Sequence, residues 1–161
     1  MNTLSVIHKT REYLDYVEEH YNNVQKAYSN VRALCEYDTN INWEKLYDDV
    51  VAHDMSKLSK DEFVQYREAF YPVVGKVASL DKDAWEHHKI HNSHHWETIE
   101  ASKYINDVDR QLDLVHMVID WTAMSYKFGG SAEQYYRDNV KKIKLSTINT
   151  SFINKVFELI R

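Results

Sequence analysis

Residues 17–34, VEEHYNNVQKAYSNVRAL, decide the fold. Val17, Tyr21, Val24, Tyr28, Val31 and Leu34 recur at steps of three and four, the pattern of an amphipathic helix. The periodic segment runs from about residue 4 to Cys35, far longer than an ordinary strand. Within it His20, Val24, Ala27 and Val31 fall on one narrow stripe at about 100° per residue. The imidazole of His20 therefore points where apolar neighbours point. A core histidine bonded to a backbone carbonyl is the plain explanation, a metal ligand the sharper one. His8 lies off the stripe and reads as a surface residue.

Working outward, the rest of the chain is helical too. Asn42 can cap a second helix through Trp43, Leu46 and Val50 to His53. Ser59-Lys60-Asp61-Glu62 has the form of a capping box, starting a third helix that ends before Pro72. Residues 73–102 are helical in tendency, with Asn92-Ser93 as a break. A further helix over about 108–128 is stopped by Gly129-Gly130. Ser131-Ala132-Glu133-Gln134 forms a second capping box, and a short closing helix lies near 151–160. Only three glycines and one proline are present, so the turns of a sheet lack material. No segment alternates strictly. The expectation is an all-α fold of about six to seven helices, in one domain over residues 1–161.

A chain of 161 residues can bury a proper core. Its formal charge of −5 argues against a nucleic-acid duplex as partner, which calls for a basic face. A small anionic substrate remains compatible, because a metal and one lysine can meet its charge locally. The single cysteine, Cys35, excludes an internal disulfide framework and fits a reducing interior. No apolar run reaches transmembrane length, and residues 1–10 lack the core of a secretion signal. A cytoplasmic domain without membrane contact is expected. The twelve tyrosines would also suit a homodimer interface.

Five of the nine histidines fall in the block His87-His88-Lys89-Ile90-His91-Asn92-Ser93-His94-His95. Imidazole is the commonest protein ligand for transition metals, and a purely structural role for all five is the weaker reading. On an unbroken helix His88, Asn92 and His95 share one stripe, and His87, His91 and His94 a second. His53-Asp54 closes the second helix, where two neighbouring side chains can reach one ion only near the helix end. Lys57 follows one turn later and can hold a phosphate oxygen, or else be merely solvated. On the 108–128 helix, Asp113, His116 and Asp120 share a face. Asp120 stands in its most apolar part, where an unpaired carboxylate would be costly, so it is the favoured ligand. Asp113 and His116 lie nearer polar sequence and read as solvated.

Taken in order, His20, the pair His53-Asp54 and the distant Asp120 resemble the HD-domain superfamily of metal-dependent phosphohydrolases. His53-Asp54-Met55-Ser56-Lys57 is similar to that superfamily's His-Asp-x-Gly-Lys string, with Ser56 in place of glycine. The histidine block occupies the interval where two-metal members carry further ligands. The resemblance spans about residues 15–130, and the narrower likeness is to a small family of bacterial and phage HD-like proteins. It implies a helical fold and a divalent transition metal (Mn, Fe, Co, Ni or Zn), as one or two ions. His20, His53, Asp54 and Asp120 would hold one ion. His88 and His95 would hold a second or orient phosphate, with Asp54 able to bridge. Lys57, Asp54 and His94 would carry the chemistry on a small phosphate-containing substrate, in the first instance a nucleotide. Two rival functions are a di-iron oxygenase using a similar cage, and a helical module that binds a nucleotide or protein partner without turnover.

Overall fold

A computed structural model describes residues 2–37 and 40–161, which form eight α-helices and no strand. In chain order these are α1 Thr3–Cys35, α2 Trp43–Val51, α3 Phe63–Phe70, α4 Lys82–His91, α5 Trp96–Ala101, α6 Asp107–Phe128, α7 Ala132–Asn139 and α8 Thr147–Ile160. A 3-10 turn, Met55–Leu58, stands between α2 and α3. The all-α expectation holds. The helices outnumber the six or seven expected because the break at Asn92 separates α4 from α5, and α7 stands apart between Gly129-Gly130 and the α8 segment.

These residues divide into two compact units, and the chain passes between them three times. The first unit comprises residues 1–21 and 54–92, the second 22–53 and 93–161. One of these three crossings falls on the peptide bond joining His53 to Asp54.

In the second unit α6 packs against α2, α5, α7 and α8. Its middle is buried on all sides, with Leu112, Leu114, Val115, Met117, Val118 and Ile119 inside, as befits the axis of a helical core. Val24, Ala27 and Val31 of α1 and Leu46 and Val50 of α2 join the same apolar cluster. The stripe read from residues 17–34 is confirmed at its centre, but Leu34 is exposed and Cys35 takes the buried position. Asn42 caps α2, accepting from the Lys45 amide at 3.0 Å. Ser131 accepts from the Gln134 amide at 3.1 Å, so half of the expected box forms there. The Gln134 side chain turns instead to Asp138. Gly129, at φ +83°, ends α6 in a conformation that glycine adopts without steric cost.

The first unit is built differently. Around the 3-10 turn, which packs with α3 and α4, lie Tyr13 of α1, Tyr66 of α3 and a set of buried polar side chains. Tyr13 meets Phe63 edge-on, with ring centroids 5.3 Å apart, and donates to the Lys57 carbonyl. The capping box expected at Ser59 does not form. Helix α3 begins at Phe63, after an N-cap position held by Glu62, whose side chain makes no cap bond. The backbone amides of Glu62 and Phe63 bond the Ser59 carbonyl, and Glu62 is wholly buried. The carboxylate that the box needed is engaged with histidines.

Candidate metal centre

In the first unit the site is centred on Asp54. Helix α2 ends at Val51, two residues before His53, so the expected helix through His53 is shorter than its pattern. Asp54 has left-handed backbone, φ +56° and ψ +19°. Short polar side chains tolerate that region better than most. Asn92 holds the bend. Its Oδ1 accepts from the Asp54 amide at 3.2 Å, and its amide nitrogen donates to Ser56 Oγ and the His88 carbonyl, each at 2.8 Å.

Three groups face the Asp54 carboxylate. Lys57 Nζ stands 2.5 Å from Oδ2, His20 Nε2 3.8 Å from the same oxygen, and His88 Nε2 3.3 Å from Oδ1. Lys57 sits on the 3-10 turn, not one helical turn along α2, and is closed onto Asp54 instead of solvated. Burial works against its charge, yet the facing carboxylate outweighs this and holds its pKa above the ordinary lysine range. The Tyr66 ring, 5.4 Å from Nζ, adds a cation–π contact. Burial is also the main reason that the Tyr13 and Tyr66 hydroxyls have raised pKa values and stay protonated.

His88 is clamped at its other nitrogen. Its Nδ1 lies 2.8 Å from Glu62 Oε2, while His87 Nδ1 lies 2.7 Å from Glu62 Oε1. A carboxylate only accepts hydrogen bonds, so both imidazoles donate from Nδ1. His91, at the exposed end of α4, donates to the His87 carbonyl and stacks on the His87 ring at 4.1 Å.

In the second unit His53, His94 and His116 are buried together, with one ligand atom of each within 4.8 Å of the others. His53 Nδ1 is 3.0 Å from His116 Nε2, a hydrogen bond between imidazoles, and His53 Nε2 is 3.7 Å from Asp120 Oδ1. The His94 ring stacks on His53 at 4.6 Å and lies 4.4 Å from the rings of His95 and His116. His116 overturns the expectation of a solvated residue: it is 3 % exposed, because α6 is enclosed on every side at that level. Asp113 is half-buried and accepts from the Tyr104 hydroxyl at 2.6 Å and from Ser93 Oγ at 2.5 Å. Those bonds account for it structurally and correct the expectation of a solvated side chain.

Three of the six expected metal ligands, His20, Asp54 and His88, thus meet in the first unit. His53 and Asp120 meet in the second, where His95 stands at the N-cap of α5. The stripe drawn through His88, Asn92 and His95 is broken, because α4 stops at His91. The reading missed Glu62, which its place in an apparent capping box explained away. It also missed His116, although the four-residue step to Asp120 marked a shared face.

Neighbouring ligand atoms on an ion with bonds of about 2.0–2.2 Å stand roughly 3–4 Å apart. The pairs His20–Asp54, His88–Asp54 and His53–Asp120 each lie in that range, and His53, His94 and His116 of the second unit form a group of three whose ligand atoms all lie within 4.8 Å of one another. The molecule is thus an all-helical protein whose buried histidine and aspartate clusters can hold a metal ion. It belongs to DUF5662, a family of unknown function whose model matches residues 9–160. No curated protein and no solved structure matches the chain. Among the described residues, no helix is long and apolar enough to cross a membrane.

Proposed function

We propose that the protein is a metal-dependent phosphohydrolase acting on a nucleotide or another small phosphate ester. The observation that carries this reading is the Asp54 carboxylate, faced by two imidazole nitrogens at 3.3 and 3.8 Å and gripped by a protonated lysine at 2.5 Å. In the first unit an ion would take its ligands from His20, Asp54 and His88, and in the second from His53, His95 and Asp120. A bound divalent ion supplies hydroxide near neutral pH by lowering the pKa of its water. Lys57 would hold positive charge where phosphoryl oxygens need it, and its contact with Asp54 orients the carboxylate. His94 would serve the leaving group as a proton donor. The order of His20, His53-Asp54 and Asp120 along the chain, which resembles the HD superfamily, supports the same reaction class.

The test is hydrolysis of a panel of nucleotides and phosphate esters by full-length protein, before and after chelation and with Mn, Co, Ni, Zn or Fe restored. Turnover should need metal, and Asp54→Asn and His53→Ala should each reduce it at least a hundredfold. Full activity after chelation, or in either variant, refutes the reading. Oxygen consumption by iron-loaded protein without phosphate release would point to the oxygenase instead.

A further inference from the structure

We propose that Glu62 is a positioning residue for the candidate centre. It fixes His88 in the Nδ1–H tautomer, so that Nε2 carries the lone pair offered towards Asp54. This rests on the metal reading above and adds to it a residue that does not itself face Asp54.

The argument begins with burial. Glu62 has no exposed surface, and a carboxylate so placed needs donors to both oxygens. His87 and His88, consecutive on α4, supply them from Nδ1 at 2.7 and 2.8 Å. In a neutral ring with its Nδ1 proton so committed, Nε2 is the lone-pair nitrogen, 3.3 Å from Asp54 Oδ1. Two acceptors at that spacing call for a cation between them. A carboxylate behind a ligating imidazole both orients the ring and raises its basicity, and loss of such a partner commonly weakens metal affinity about 10- to 100-fold. Asn92 and Ser56 also reach His88 Nδ1, at 3.2 and 3.3 Å. Both hydrogens of the Asn92 amide are taken by Ser56 Oγ and the His88 carbonyl, so Glu62, the nearest partner of Nδ1, is the acceptor that decides the tautomer.

Two measurements test this on the full-length protein. The first is the two-bond 1H–15N spectrum of metal-free, 15N-histidine protein, with His88 assigned by loss of its signals in His88→Gln. The second is Zn and Mn affinity by titration, with thermal melts to verify folding. His88 should be the Nδ1–H tautomer in the wild type. In Glu62→Gln the amide offers only one acceptor, so one of the two histidines must change tautomer or lose its bond. Metal affinity should fall about 10- to 100-fold. His87→Ala leaves the Glu62–His88 bond in place and should bind metal within about threefold of wild type, which a general packing role for Glu62 would not allow. Should Glu62→Gln fail to fold, Glu62→Asp serves instead: it keeps the charge but shortens the reach, with an intermediate loss expected. The proposal is overturned if wild-type His88 is Nε2–H or doubly protonated, or if Glu62→Gln keeps both tautomer and affinity. Wild-type protein that shows the Nδ1–H tautomer yet takes up neither metal supports the role of Glu62 and overturns the metal reading instead.

Discussion

The two units bury different kinds of chemistry. The second encloses a continuous apolar cluster about α6, and its buried His53, His94 and His116 pack ring against ring. The first has little aliphatic interior: among the described residues its buried apolar side chains are Tyr13, Tyr66, Ala69 and Ala84, beside the buried polar His20, Asp54, Glu62, Arg67, His88 and Asn92. A similar device appears in both: an imidazole held at Nδ1 with Nε2 turned to an aspartate. In the first unit the anchor is a carboxylate, Glu62 behind His88; in the second it is another imidazole, His116 behind His53. A carboxylate anchor makes a stronger hydrogen bond to its histidine than a neutral imidazole does. Folding of the second unit thus rests on apolar burial, while the first depends on each charge keeping its partner.

That contrast can be broken in order of expected effect. Lys57→Met leaves Asp54 buried beside an apolar chain and should lose about 3–5 kcal/mol in denaturant unfolding. A near-neutral result would show that paired charge does not hold the first unit. Leu114→Ala, in the second unit, should lose about 2–5 kcal/mol through the cavity it leaves. Regional hydrogen exchange should place the first loss in residues 54–92 and the second in α6 and its neighbours. A saturating divalent ion, at 100 times its dissociation constant, should add about 2.7 kcal/mol. Most of the added protection should appear around Asp54 and His88, and a chelator should remove it.

The smallest effect concerns a surface cluster of the second unit. Arg161 and Arg137 both bond Glu133 and hold its carboxyl at about 2, below its ordinary 4.5. A depressed carboxyl stabilises the fold above its unfolded pKa, and that contribution disappears as pH falls from about 4.5 through 2. The melting temperature of wild type should exceed that of Glu133→Gln by a constant amount above pH 5. The gap should close in acid; a gap that widens there would contradict the assignment.

The helices were legible because burial follows period: the stripe through His20, Val24, Ala27 and Val31 is inside as its spacing demands. His20, His53-Asp54, His88 and Asp120 were legible as candidate ligands from their residue types and order, and the fold brings His20 and His88 to Asp54 and His53 to Asp120. What supports them was not. The Ser59–Glu62 spacing is equally that of a helix cap and of a carboxylate turned inward, and only the fold decides between the two. His116 looked solvated because its polar sequence neighbours on α6 differ from its neighbours in space. Lys57 looked like a solvated or phosphate-facing cation because sequence carries no sign that Asp54 would close on it.

The backbone at Asp54 makes this position doubly selective. A residue there must tolerate mirror-image torsions, at about 1 kcal/mol for most side chains, and must also supply a carboxylate. Asparagine satisfies the first demand alone, so it isolates the chemistry, whereas alanine confounds lost ligation with added strain. Glycine makes the separation sharper still: Asp54→Gly should relax the chain locally while abolishing the metal-dependent turnover proposed above.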